Sequence, residues 1–149
     1  MMNGKAEVFR KDEKPVRLFT VDEANDLIPR LESMLKECDR TLLEIRTVAE
    51  LTEDIEWYWG VSIREVGNPD HGEYLKLERE KDARIERWNA AVEKINALGV
   101  VLKNPDMGLI DFYSSREGQL VFLCWQRGER EVRYWHTLEG GYAGRRLLE

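Results

Sequence analysis

In the last third of the chain, Asp111, Cys124, Glu129 and His136 fall on adjacent short strands and turns, where their side chains could converge and do chemistry. An aspartate, a glutamate and a histidine together can ligate a hard or borderline divalent cation, or serve as an acid–base pair. Asp111, Glu129 and His136 are therefore the candidate metal ligands, and a divalent metal is the cofactor they would take. No ligand spacing of a known metal motif joins them. The competing reading is a polar network, in which Asp111 and His136 bond each other or the loop backbone and fix the tail in place. Cys124 as a nucleophile would need His136 as its base, but its place between Leu123 and Trp125 argues for burial.

Trp125, Trp135 and Arg145 are candidate ligand-binding residues, two aromatic walls and a cation beside the glycines of Gly140–Gly144. Arg145 and Arg146 could equally pair with Glu129 or with the acidic first helix. The Gly-Gly-Tyr-Ala-Gly run is not a dinucleotide fingerprint: its spacing differs from G-x-G-x-x-G and no helix follows to face a phosphate. The chain has no C-x-x-C, H-E-x-x-H, P-loop or G-x-S-x-G, and two histidines without Glu-x-x-His exclude a di-iron bundle of the usual type.

These residues need strands to bring them together, and the pattern from Val100 onward supplies them. Val100–Leu102, Leu109–Tyr113, Gln119–Trp125 and Val132–His136 read as strands separated by short turns, which implies antiparallel pairing. Residues Glu139–Gly144 are too glycine-rich for helix or strand and read as an irregular loop. Upstream, Thr20-Val21-Asp22-Glu23 forms a capping box that starts a helix, with Phe19 and Ala24 at the staple positions. Ala24, Ile28, Leu31, Leu35, Cys38, Leu42, Ile45 and Ala49 then recur at alternating steps of four and three, a seven-residue repeat. Pro29 inside that run predicts a kink, or a short first helix that restarts. The helix ends near Trp57–Gly60, and its last turns carry acids, the wrong sign for a C-terminus. After the turn-rich residues 60–72, a second helix runs from Glu73 to Leu98 with Ile85, Trp88, Val92, Ile95 and Leu98 as its apolar face, stopped by Gly99.

Composition narrows the function classes. The 149 residues carry a net charge of −6, with 42% hydrophobic and 35% charged residues, as in a charge-rich globular domain. Eleven acids and four bases fall in residues 21–60. A net-acidic body without a basic, aromatic-studded stripe disfavours nucleic-acid binding. No apolar run approaches a membrane span, and the charged first twenty residues lack a signal core, so a cytoplasmic protein is expected. Cys38 and Cys124 then read as buried thiols rather than a disulfide.

The order F-T-x-x-E-A-N at Phe19–Asn25, L-I-P-R-L at Leu27–Leu31, G-V-x-L-K-N-P-D-x-G-L-I-D-F at Gly99–Phe112, L-C-W-x-x-G-E at Leu123–Glu129, Y-W-H at Tyr134–His136 and G-G-Y-A-G-R at Gly140–Arg145 resembles the prokaryotic domain-of-unknown-function family numbered 2203. The likeness spans residues 19–146. It implies a small intracellular prokaryotic protein and brings no activity or catalytic residue. It draws attention to Asp111, Trp125, Gly128, Glu129, Trp135, His136, Gly144 and Arg145.

The expected fold is α+β in one domain over 1–149. A flexible basic arm (1–18) precedes a long antiparallel helical hairpin (20–98). A small antiparallel β-meander of three to four strands with a glycine-rich tail (100–146) follows. The expected function is a non-enzymatic binding or assembly module. It would self-associate through its helices as a homodimer, in coiled-coil fashion, and hold a protein or small-molecule partner. The alternative is a metal-dependent enzyme, such as a hydrolase, with its site around Asp111, Glu129 and His136.

Overall fold

The computed structural model describes residues 7–9 and 15–149. The architecture is α+β: a long helix, a second helix, and a five-stranded antiparallel sheet. The elements are β1 (Glu7–Phe9), β2 (Pro15–Arg17), α1 (Val21–Trp59), a 3-10 turn (Gly60–Arg64), α2 (His71–Asn96), β3 (Val100–Asn104), β4 (Leu109–Arg116), β5 (Gln119–Gln126), β6 (Tyr134–His136), a second 3-10 turn (Tyr142–Gly144) and β7 (Arg146–Leu147). The chain groups into two compact units. One combines residues up to Leu35 with Glu93–Glu149, and the other is Lys36–Val92.

The expected arm over 1–18 lies partly outside the described residues, at 1–6 and 10–14. Within it, β1 and β2 pair antiparallel, with Val8 opposite Val16.

In the first unit the capping box closes as expected. The amide of Thr20 donates to Glu23 Oε1 at 3.0 Å, and the amide of Glu23 donates to Thr20 Oγ1 at 3.1 Å. Phe19 ties this helix start to the sheet: its amide donates to the Tyr113 carbonyl, its carbonyl accepts the Ser114 hydroxyl, and its ring meets Phe112 edge-on. Ala24, Ile28, Leu31 and Leu35 of α1 and Ile110, Phe112, Val121, Leu123 and Trp125 of the sheet are buried and supply the core. The restart expected at Pro29 does not occur, since α1 continues through it. The Pro29 ring sits on the exposed side, where loss of one amide bond leaves the Asn25 carbonyl open to water.

The sheet order is β3-β4-β5-β6-β7, every pair antiparallel. This corrects the expected count of three to four strands. The fifth, Arg146–Leu147, pairs with β6 and is followed by a bond from the Leu148 amide to the Arg133 carbonyl. Two residues give no alternation to read, and the glycines before them mask the strand. Between α2 and β3, Gly99 adopts φ +91°, a conformation that favours glycine, and a Cβ there would stand 3.0 Å from Arg17 Cβ.

In the second unit the buried line of α1 is Cys38, Thr41, Val48 and Thr52, where the seven-residue repeat expected Leu42 and Ala49. One four-residue step is shortened to three at Cys38–Thr41. The two threonines are tolerated inside because each hydroxyl donates within the helix, Thr41 to the Cys38 carbonyl and Thr52 to the Val48 carbonyl. Leu43 is left exposed. On α2 the inward line is Tyr74, Leu77, Lys81, Arg84, Trp88 and Ala91, rather than the line through Ile85. Tyr74 Oη donates to Glu56 at 3.0 Å, and Arg84 donates to the Glu44 carbonyl at 2.9 Å, so the pairs run in opposite order along the two helices. Among the described residues no helix is long and apolar enough to cross a membrane.

Candidate functional site

The pleat places alternate residues of a strand on one face. Asp111 lies opposite Cys124, which lies opposite Tyr134, and Phe122 lies opposite His136. Asp111, Tyr113, Phe122, Cys124, Tyr134 and His136 therefore share the sheet face opposite to Phe112, Leu123 and Trp125. Three of them form a tight group. One ligand atom each from Asp111, Cys124 and His136 lie within 4.8 Å of one another, and all three residues are buried.

The bonds within the group are specific. His136 Nε2 stands 3.1 Å from both carboxylate oxygens of Asp111, and His136 Nδ1 stands 2.6 Å from the carbonyl oxygen of Thr137. The ring also packs against Phe122, which in turn packs against Tyr113. Burial, with the Asp111 charge beside it, pushes the Cys124 thiol up to about 12. In this surrounding Cys124 is a protonated, unreactive thiol rather than a nucleophile.

The tail folds back over the same face. Arg145 Nη2 donates to Glu129 Oε1 at 2.6 Å and to the Cys124 carbonyl at 3.3 Å. Its guanidinium lies 3.9 Å from the Tyr134 ring centre and 4.9 Å from that of Tyr142, a stacked arrangement between two tyrosines. Tyr142 Oη donates to Gln126 Oε1 at 3.0 Å. Burial pulls the Arg145 pKa down, but the Glu129 bond and the charges around it outweigh burial, and the net direction is up. Arg145 Nε is buried without a hydrogen-bond partner.

The structure therefore brings Asp111 and His136 together and adds Cys124 to them. Glu129 is engaged elsewhere: it accepts from Arg145 and from the Gln126 amide, while its carbonyl accepts the Trp125 indole N–H. Of the candidate ligand-binding residues, Trp125 is a core side chain with no exposure. Trp135 is half-buried under the guanidinium groups of Arg116 and Arg146, 4.7 and 5.3 Å from its ring centre. Arg145 is on the other face from both tryptophans. The sequence sets Cys124 near the group without marking it as a ligand. Its register opposite Asp111 is the signal, and it follows once the β4–β5 turn at Glu117–Gly118 is fixed.

The donors of the group, one carboxylate oxygen, one thiol sulfur and one imidazole nitrogen, suit a borderline transition cation. Without a metal they form a hydrogen-bonded network.

Comparison with known proteins places the chain in one family. The model of the family described as "Uncharacterized conserved protein (DUF2203)" matches residues 17–148, nearly the whole chain, and the protein belongs to that family. No curated protein and no solved structure matches it.

Proposed function

We propose that this protein is a non-enzymatic binding and assembly module that works as a homodimer joined through its helices. The observation that carries this reading is the set of apolar side chains left in water on the helical unit. Leu43 and Leu51 of α1, Leu75 and Ile85 of α2, and Trp57, Tyr58, Val61 and Val66 around the connecting turn are all exposed, Trp57 at 90% and Val66 at 89%. Exposed apolar side chains mark an interaction surface where they join into a patch, and eight on one helical unit supply the material for one.

A second copy is the occupant that fits. Two antiparallel helices taken as a hairpin bury one face each, and their inward line contains Lys81 and Arg84 where a bundle core would be apolar. Pairing two hairpins would give each helix a second neighbour and turn the unit into a four-helix bundle. Acids and bases are interspersed along α2, so its bases can meet the acids of a partner's α1 at the rim of a two-fold pairing. In this reading the sheet face with its folded tail is where a protein or small-molecule partner is held. The module works in the cytoplasm, where the thiols of Cys38 and Cys124 stay reduced.

Sedimentation equilibrium of the full chain tests the proposal. A dimer is expected at micromolar concentration, converted to a folded monomer by the double variant Leu43→Asp, Leu51→Asp. A wild-type chain that stays monomeric into the high-micromolar range would overturn it.

A further inference from the structure

The buried group Asp111, Cys124 and His136 poses a problem of proton placement. A carbonyl oxygen only accepts, so the 2.6 Å contact with Thr137 requires a proton on His136 Nδ1. Nε2 faces both oxygens of Asp111 at 3.1 Å, again acceptors when the carboxylate is ionised. A neutral imidazole has one proton and cannot serve both sides. Either a second proton lies between Nε2 and the Asp111 carboxyl group, on one side or the other, or a cation stands in its place.

We propose that Asp111, Cys124 and His136 form a metal site for a borderline divalent cation of the zinc type. Four features of the geometry support it. The Nδ1–H bond to a backbone carbonyl is the outer contact that metal-binding histidines use to fix their tautomer and aim Nε2 at the ion. The carboxylate, thiolate and imidazole donors are the ligand types zinc takes. An N···O separation of 3.1 Å is within about half an ångström of the ~3.3–3.6 Å that metal–ligand bonds of about 2.0–2.2 Å give around a tetrahedral ion. Two anionic ligands also balance a divalent charge, so the occupied site is neutral where an isolated ion would be costly to bury. On binding, the Cys124 thiol proton and any proton between Nε2 and Asp111 leave to solvent as the sulfur and Nε2 lone pairs bind the ion. Glu129, held by Arg145 and the Gln126 amide, is not a ligand.

The test uses the full chain without a histidine tag, stripped by chelator and titrated with Co²⁺, then Zn²⁺. One equivalent of Co²⁺ is expected to produce a thiolate-to-cobalt charge-transfer band and the visible bands of a tetrahedral ion, both erased by Zn²⁺. Cys38→Ser keeps the charge-transfer band and Cys124→Ser loses it. Should Cys124→Ser fail to fold, X-ray absorption of the zinc-loaded wild type decides the point, with a single sulfur in the coordination shell expected. Three results would each overturn the proposal. One is a folded, stripped chain without a charge-transfer band in excess Co²⁺. Another is a folded Cys124→Ser that retains the band. The third is a zinc shell without sulfur.

Discussion

Arg145 Nη2 stands 2.6 Å from Glu129 Oε1, and the same oxygen accepts the amide of Gln126, also at 2.6 Å. One carboxylate thus closes the turn after β5 and anchors the tail that follows β6. Because the Arg145 side chain is only 11% exposed, its charge is costly to bury without that partner.

Glu129→Ala is therefore expected to leave a mostly buried guanidinium unpaired. Breaking a fully buried pair costs ~3–5 kcal/mol, and the partial exposure of Glu129 brings the expectation to ~2–3 kcal/mol in chemical denaturation. Arg145→Lys should also destabilise, because an ammonium cannot reproduce the flat stack between Tyr134 and Tyr142. A Glu129→Ala variant as stable as the wild type would show that the tail contributes little to folding.

The shifted line of α1 makes a second test. Val48 is buried and Leu42 is not, so Val48→Ala should cost ~1–3 kcal/mol and Leu42→Ala less. Thr52→Val should stay within about 1 kcal/mol of wild type, since it removes a hydroxyl that only bonds its own helix and fills the same space. Equilibrium urea unfolding of the three variants checks the order. If Leu42→Ala costs more than Val48→Ala, the unbroken seven-residue repeat describes the helix better.

Local rules were legible where they act over a few residues. The capping box, the glycine stop of α2 and the short turns between strands were all readable, because each depends on side chain and backbone within one turn. The line inside α1 was not. A repeat search favours Leu42 and Ala49 over Thr41 and Thr52, and what decides between them is a hydroxyl bond to the helix's own carbonyl that costs nothing inside. The site was half legible. Asp111 and His136 were expected to meet, but Glu129 was grouped with them because nothing in the sequence says that Arg145, sixteen residues later, folds back to take it. Cys124 enters only through strand register, which a one-residue slip would have moved to the other face.

Gly108 offers a test of the β3–β4 turn. It has φ +64°, and a Cβ there would stand 2.5 Å from Arg127 Cβ and 3.2 Å from Leu35 Cδ1. Strain in the backbone and the clash act together, so Gly108→Ala is expected to cost ~1–3 kcal/mol or more. Thermal unfolding should show a clear drop in Tm, whereas Gly118→Ala, with open space around it, should show only the backbone cost.

The start of α1 gives a prediction in pH. The Thr20 amide, and then the Thr20 hydroxyl, hold the Glu23 carboxyl below its ordinary value of 4.5. A depressed folded pKa means that the charged form is favoured by folding. Its contribution is fully present above the unfolded value and is lost as pH falls from about 4.5 through the folded value. The group is exposed, so solvent screening keeps its share small. Glu23→Gln retains the size and the capping geometry but removes the charge. It should therefore be slightly less stable than wild type at pH 7 and equal to it near pH ~3. Thr20→Ala, which deletes the cap itself, should cost ~1 kcal/mol and keep part of that cost in acid. Guanidinium unfolding at the two pH values separates the contributions. A gap between wild type and Glu23→Gln that persists at low pH would mean that the carboxyl stabilises the helix by shape rather than by charge.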